Sequence, residues 1–144
     1  MPGCRAKTAP YGRKVMPNYL LDTNIIIDSF RGEEYATEVL AILNIQDNLG
    51  CTCPIVIGEI YAGIKDKERD KYTKLFKALS FYPLTEESSR QGGEIKNSFA
   101  KKGISLSLDD CLIAATCVEN DLILVTKNQR DFPMPALKLF NFKH

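Results

Sequence analysis

Two short runs in this 144-residue chain are apolar at every position, and each ends on a polar residue. Tyr19-Leu20-Leu21 stops at Asp22, and Leu122-Ile123-Leu124-Val125 stops at Thr126. A strand with one wet face alternates apolar and polar residues. A continuous run of this length reads instead as a strand buried on both faces, which is found almost only in parallel sheets covered by helices. The requirement is demanding, because parallel neighbours need a crossover of a dozen or more residues, usually a helix.

The segments between the runs supply those helices. Thr23 and Asn24 are placed to cap a short helix carrying Ile25, Ile26, Ile27 and Phe30, which Gly32 breaks. Residues 33–47 place Ala36, Val39, Leu40, Ile42 and Leu43 at helical spacing, with Glu33, Glu34 and Glu38 near the favourable amino end. After a turn at 48–50, Cys51 to Cys53 reads as a short strand, and Pro54 opens a helix over 54–65. The charged run 65–71 reads as a solvated link. Tyr72, Leu75, Phe76 and Leu79 mark another helix, and 81–84 another strand. Thr85 caps a helix over 86–102 that closes on Lys101, Lys102 and Gly103. Ser107 or Asp109 caps the next, which runs to Asn120 with Leu112, Ile113, Ala115 and Val118 covering most of its circumference, as in a buried helix. Leu137, Leu139 and Phe140 suggest a last strand. Strands alternating with helices are the α/β signature.

Composition narrows the chemistry. The one histidine is His144, the last residue, so imidazole-based hydrolysis and histidine-rich zinc sites are poor fits. The five cysteines, Cys4, Cys51, Cys53, Cys111 and Cys117, have no paired metal-ligand spacing and read as buried thiols of a reducing compartment. Nineteen basic against 18 acidic residues give a net charge of +1, which is no basic coat. Residues 1–15 hold Arg5, Lys7, Arg13 and Lys14 without an acid. They read as a flexible basic extension before a single domain over 16–144. With no export signal and no segment of about 20 apolar residues, the expectation is a cytoplasmic protein without a membrane anchor.

Four acids are oddly placed for solvent-facing charges. Asp22 closes the first strand, Glu59 sits among Val56, Ile57, Ile60 and Ala62, Asp110 precedes Cys111-Leu112-Ile113-Ala114-Ala115, and Asp131 follows the strand 122–126. Ligands of open parallel sheets bind at the carboxyl ends of the strands. Crowded carboxylates need a neutralising partner, and a hard divalent cation serves. Such a metal supports phosphodiester hydrolysis without histidine. Each acid also has a structural reading, as a helix cap, a turn residue or an exposed face.

Taken in order, Leu20-Leu21-Asp22-Thr23-Asn24, Glu59-Ile60-Tyr61-Ala62-Gly63, Asp110-Cys111-Leu112-Ile113-Ala114-Ala115-Thr116, and Val125-Thr126-Lys127-Asn128 with Asp131-Phe132 resemble the successive motifs of PIN-domain ribonucleases, in particular the VapC-like toxins of type II toxin–antitoxin modules. The resemblance spans about residues 17–142. It implies a three-layer α/β/α sandwich with a central, mostly parallel sheet of four or five strands. It implies Mg²⁺- or Mn²⁺-dependent endoribonuclease activity on cellular RNA. Asp22, Glu59 and Asp110 match the metal-binding acids, with Asp109 as the alternative to Asp110. The fourth acidic position falls on Asn128 or Asp131. Thr23, Asn24 and Thr126 are placed to hold the acids or the attacking water. Arg31, Lys127 and Arg130 are candidates for phosphate contacts. A homodimer and a small antitoxin are the implied partners, and the apolar faces at 36–43 and 72–79 are possible contact surfaces. A DNA nuclease or phosphatase using the same acids, and a non-catalytic binding module of the same fold, remain open. With the four acids engaged by metal, 14 acids would face 19 bases, so RNA affinity is expected to be modest without metal.

Overall fold

The computed structural model describes residues 18–45 and 50–142, so the basic segment 1–15, the turn at 48–49 and His144 lie outside the described residues. The first apolar run forms β1, Tyr19–Leu21, and all three residues are buried. The last long one forms β4, Ile123–Val125. They pair directly and in parallel, with Tyr19 opposite Ile123, Leu20 opposite Leu124 and Leu21 opposite Val125. On the other side of β1 lies β2, Gly50–Thr52, followed by β3, Ser80–Phe81. Outside β4 lies β5, Lys138–Leu139. The order is β3-β2-β1-β4-β5, and all four pairings are parallel. The chain thus moves outward from β1 in one direction, then returns to build β4 and β5 on the opposite side. The reversal opens a crevice at the carboxyl ends of β1 and β4.

Six helices among the described residues cover the sheet, giving the expected α/β/α arrangement. The first, α1, Thr23–Phe30, buries Ile25 and Ile26 and ends before Gly32, whose φ of +81° suits glycine alone. Its cap is Asp22, whose side chain accepts from the Thr23 N–H, rather than Thr23 or Asn24. In α2, Glu34–Ile45, Ala36, Val39 and Leu43 enter the core, so the face at 36–43 is largely spent inside the molecule. Cys53 and Pro54 open α3, Pro54–Gly63, which buries Val56 and Ile60. The charged run 65–71 is not a plain link. Asp66–Glu68 make one 3₁₀ turn, and α4, Arg69–Ala78, begins directly after it, with the Glu68 side chain accepting from Lys65 N–H at 3.1 Å. The face at 72–79 also packs inward: Tyr72 is buried, and Leu75, Phe76 and Leu79 lie against the core.

β3 is shorter than the run 81–84 suggests. Tyr82 N–H still reaches Thr52 O at 2.9 Å, but Pro83 has no N–H with which to continue the ladder. Thr85 caps α5, Glu86–Ala100, as expected, in a capping box with Ser88. Ser107, not Asp109, caps α6, Leu108–Asn120, by accepting from Asp110 N–H at 3.1 Å. Residues 111 and 113–117 of α6 are buried, whereas Val118 is exposed, so the apolar circumference is incomplete at its last turn. The two helices touch closely: a Cβ on Gly92 of α5 would stand 2.6 Å from Leu112 Cδ2 and 3.1 Å from its Cα. Cys51, Cys53, Cys111 and Cys117 are all buried thiols. No helix among the described residues is long and apolar enough to cross a membrane.

Candidate active site

The register of β1 against β4 builds the site. Because Leu21 is level with Val125, the next residues, Asp22 and Thr126, leave the sheet side by side. Asp22 N–H donates to Val125 O at 2.9 Å, one step beyond the ladder. Asp22 is thereby buried, and its carboxylate is closely held. Oδ1 accepts from Thr23 N–H at 2.8 Å. Oδ2 accepts from Thr126 Oγ1 at 2.8 Å and from Asn24 Nδ2 at 3.2 Å. Asn24 also reaches across the crevice, where its Oδ1 accepts from Lys127 N–H at 3.0 Å. Thr126 Oγ1 in turn accepts from Asn128 N–H at 3.2 Å. The turn after β4 is thus tied to the start of α1 through Asn24 and Thr126.

Glu59 comes from the middle of α3, where its Oε1 accepts from Thr23 Oγ1 at 2.6 Å. Asp110 lies in the first turn of α6 and is half-buried, while Asp109 beside it is exposed. Ser107 caps this turn by accepting from Asp110 N–H. Asp131 ends a single 3₁₀ turn, Gln129–Asp131, after β4. These four acids come from four elements and line one open cleft of about 540 Å³ together with Thr23, Asn24, Ile27, Ala62, Asn128 and Phe132. Asn128 and Asp131, the two alternatives for the fourth position, both line it. Asp109 and Thr126 do not line the cleft, and neither do Arg31, Lys127 or Arg130. Arg31 instead lies near Asp28, Glu68 and Tyr72, whose ionisation it influences.

The lining includes no cationic side chain. Burial pushes the Asp22 carboxyl above its ordinary range despite the hydrogen bonds from Thr126, Thr23 and Asn24, and the Asp131 charge adds to the rise. Burial raises Glu59 as well, against the bond from Thr23, with repulsion from Asp22 and Asp109. Asp110 is raised by burial first and then by Asp22, Asp131 and Asp109, against the bond with Ser107. Carboxylates that oppose one another's ionisation in one cleft form a site short of positive charge. All the donors are oxygens, the set preferred by Mg²⁺ and other hard cations. Among the described residues no three acids already converge on a single ion-sized point. The donor chemistry therefore suits a hydrated cation held by a few carboxylates with water completing its shell, as Mg²⁺ usually is.

Ile27, Ala62 and Phe132 also line the cleft; Ala62 and Phe132 fall within the motif runs, but none of the three is among the candidate site residues. Helical spacing signals the first two, since Ile27 is four residues after Thr23 and Ala62 three after Glu59.

A parallel α/β sheet with an acidic cleft at its switch point defines a class of protein, and comparison with known proteins places the chain within it. Residues 19–136 match the family model of the PIN domain. Ribonuclease VapC19 of Mycobacterium tuberculosis is 33% identical over 116 residues, covering 80% of this chain and 92% of that protein. Ribonuclease VapC10 of the same species is 29% identical over 115 residues, covering 80% and 86%. Among solved structures, VapBC2 from Rickettsia felis bound to a DNA fragment from its promoter has a TM-score of 0.74 at 26% identity, covering 87% of this chain and 98% of the other. The chain belongs to the PIN-domain family, on its VapC-like branch.

Proposed function

We propose that this protein is a metal-dependent endoribonuclease, the toxin of a toxin–antitoxin pair. The observation that carries the reading is the cleft itself: Asp22, Glu59, Asp110 and Asp131 line one cavity at the sheet's switch point, with no cation among the lining residues. The relatives named ribonuclease VapC support RNA as the substrate. The Rickettsia felis neighbour, a VapBC protein solved on its promoter DNA, supports a small antitoxin as partner. A homodimer follows from the family resemblance alone.

Asp22, Glu59 and Asp110 are the residues that would hold Mg²⁺ or Mn²⁺. The ion supplies charge neutralisation among the acids and stabilisation of the charge that develops on a phosphate. The rest is the work of this chain. Thr126, Asn24 and the Thr23 N–H fix the Asp22 carboxylate in one orientation. The Thr23 hydroxyl does the same for Glu59. Asp131 or Asn128, on the turn that Asn24 and Thr126 anchor, orients the water that attacks phosphorus.

The test is cleavage of labelled RNA, DNA and a small phosphate ester side by side. RNA is cut with Mg²⁺ or Mn²⁺, EDTA stops it, and Asp22→Asn and Asp110→Asn reduce it at least a hundredfold. Full activity of either variant would sink the assignment, and a preference for DNA or the ester would reassign the substrate. One observation favours a second reading, a non-catalytic module: Asp22 serves as the cap of α1 and already accepts three hydrogen bonds. A protein that Mg²⁺ and Mn²⁺ fail to stabilise against heat would support that reading instead.

A further inference from the structure

Beside the acidic cleft, and sharing Asn128 with it as a wall, lies a second open cleft of about 420 Å³. It is lined by Lys127, Asn128, Gln129, Arg130, Asn141 and Phe142. Its volume falls within the roughly 300–1,000 Å³ of small-ligand sites. Its chemistry is the complement of its neighbour's: two cations, three amides and one aromatic ring, without a carboxylate.

The two cations differ. Lys127 Nζ is 2.9 Å from Asp28 Oδ2 and lies 5.5 Å from the centre of the Tyr35 ring, so its charge is already engaged. Arg130 is exposed and forms no ion pair among the described residues. The aromatic wall is supported from behind. Phe142 packs at 5.4 Å from Phe140 and 6.1 Å from Tyr35, both edge to face. Gln129 Nε2 donates to Phe140 O at 3.0 Å, which ties the turn after β4 to this carboxyl-terminal segment. An exposed guanidinium, an aromatic ring and amides in one groove form the combination that binds single-stranded nucleic acid, through phosphate contact, base stacking and hydrogen bonds to base edges.

We propose that this second cleft seats the nucleotide adjoining the one whose phosphate enters the acidic cleft. Arg130 takes the flanking phosphate, Phe142 stacks on the base, and Gln129 and Asn141 meet its polar edge. The inference rests on the ribonuclease reading above. It also has an electrostatic rationale, since an acidic cleft repels the strand it must cut and an adjacent cationic subsite offsets that repulsion.

Binding of a fluorescein-labelled single-stranded RNA hexamer, measured by anisotropy in EDTA across a series of salt concentrations, tests the subsite without cleavage. In Arg130→Gln, the slope of log affinity against log salt falls by about 0.7, the value for one lost phosphate contact on a single strand. Phe142→Leu weakens binding roughly tenfold with the slope unchanged, and Phe142→Tyr restores it, as loss and return of one stacked base require. Phe142 has packing partners that Leu serves less well. Arg130 is exposed and forms no ion pair among the described residues, so its variant keeps the test decisive if Phe142→Leu fails to fold. An Arg130→Gln protein with the wild-type slope overturns the proposal, as does a folded Phe142→Leu protein with wild-type affinity. A wild-type protein that cuts RNA while both variants bind normally overturns the subsite alone. One that neither cuts nor binds RNA overturns the ribonuclease reading and the subsite with it.

Discussion

Asp22 shows how much one residue is asked to do. It caps a helix, carries a buried charge and lines a cleft with three other acids. Burial is tolerable because donors surround it, and the Thr126 hydroxyl is one of the two that make the shortest contacts with it. Thr126→Val keeps the shape and removes that donor. A hydrogen bond to a charged group contributes about 1.5–3 kcal/mol, so urea unfolding of Thr126→Val at pH 7 is expected to show a loss of that order. Asp28, outside the cleft, behaves in the opposite sense. Burial pushes its carboxyl up, but hydrogen bonds from Tyr35 and Lys127 outweigh burial and hold it below its ordinary 3.8. The folded protein therefore binds fewer protons at Asp28 than the unfolded chain just below that pH. Its contribution is complete above about 3.8 and disappears as the pH falls through the lower folded value. The thermal midpoint of Asp28→Asn is expected to lie below wild type at neutral pH, with the gap closing only in strong acid. A gap unchanged down to pH 2 would refute the assigned charge.

At the scale of elements, α5 and α6 approach each other closely at Gly92. Gly92 exists there for space, since its Cβ would meet the Leu112 backbone as well as its flexible tip. Gly92→Ala gains helix propensity but must separate the helices. Overpacking of this kind costs about 1–3 kcal/mol, and chemical denaturation is expected to show a net loss rather than the gain usual for glycine to alanine in a helix. The same element illustrates what was readable beforehand. A helix ending near Asn120 with an apolar body was legible from its spacing. Asp110 stands out over Asp109 because it directly precedes the apolar run Cys111–Ala115, whereas the spacing leaves both Ser107 and Asp109 open as caps. Ser107 caps it, Asp110 turns inward, and Asp109 stays exposed. The run 65–71 misleads for a related reason. Charged residues suit an exposed helix start as well as a link, and Tyr72 at its end decides the matter by packing into the core.

Among the described residues, acids without a cationic partner gather in the cleft at the sheet's switch point. Asp110 is raised by burial and by its acidic neighbours, so its ionised form is disfavoured in the folded state. A raised carboxyl costs stability when ionised and is relieved as the pH falls through its folded value. In EDTA at pH 7, Asp110→Asn is therefore expected to melt above wild type, with the difference shrinking in acid. Added Mn²⁺ or Mg²⁺ is expected to reverse the order, because wild type alone keeps the full set of acids to bind the ion. Differential scanning calorimetry with and without the metal decides this, and an Asp110→Asn protein that melts below wild type in EDTA would argue that the acids do not repel one another.

The chain by itself determined that there would be a parallel sheet, since only strands shielded on both faces can be apolar at every position. It also set four acids, Asp22, Glu59, Asp110 and Asp131, beside apolar stretches, where a structural use such as a helix cap and a functional one both remained open. Tertiary structure alone decided how those acids meet. Asp22, Glu59, Asp110 and Asp131 lie up to 109 positions apart in the chain, and their common cleft depends on the β1–β4 register and the reversal of strand order. It also separated Lys127, engaged by Asp28, from Arg130, which no local pattern distinguishes. The physical reason is the same in both cases. Burial is written locally in apolar periodicity, whereas the electrostatics of a site depend on distances between side chains that only the folded chain brings together.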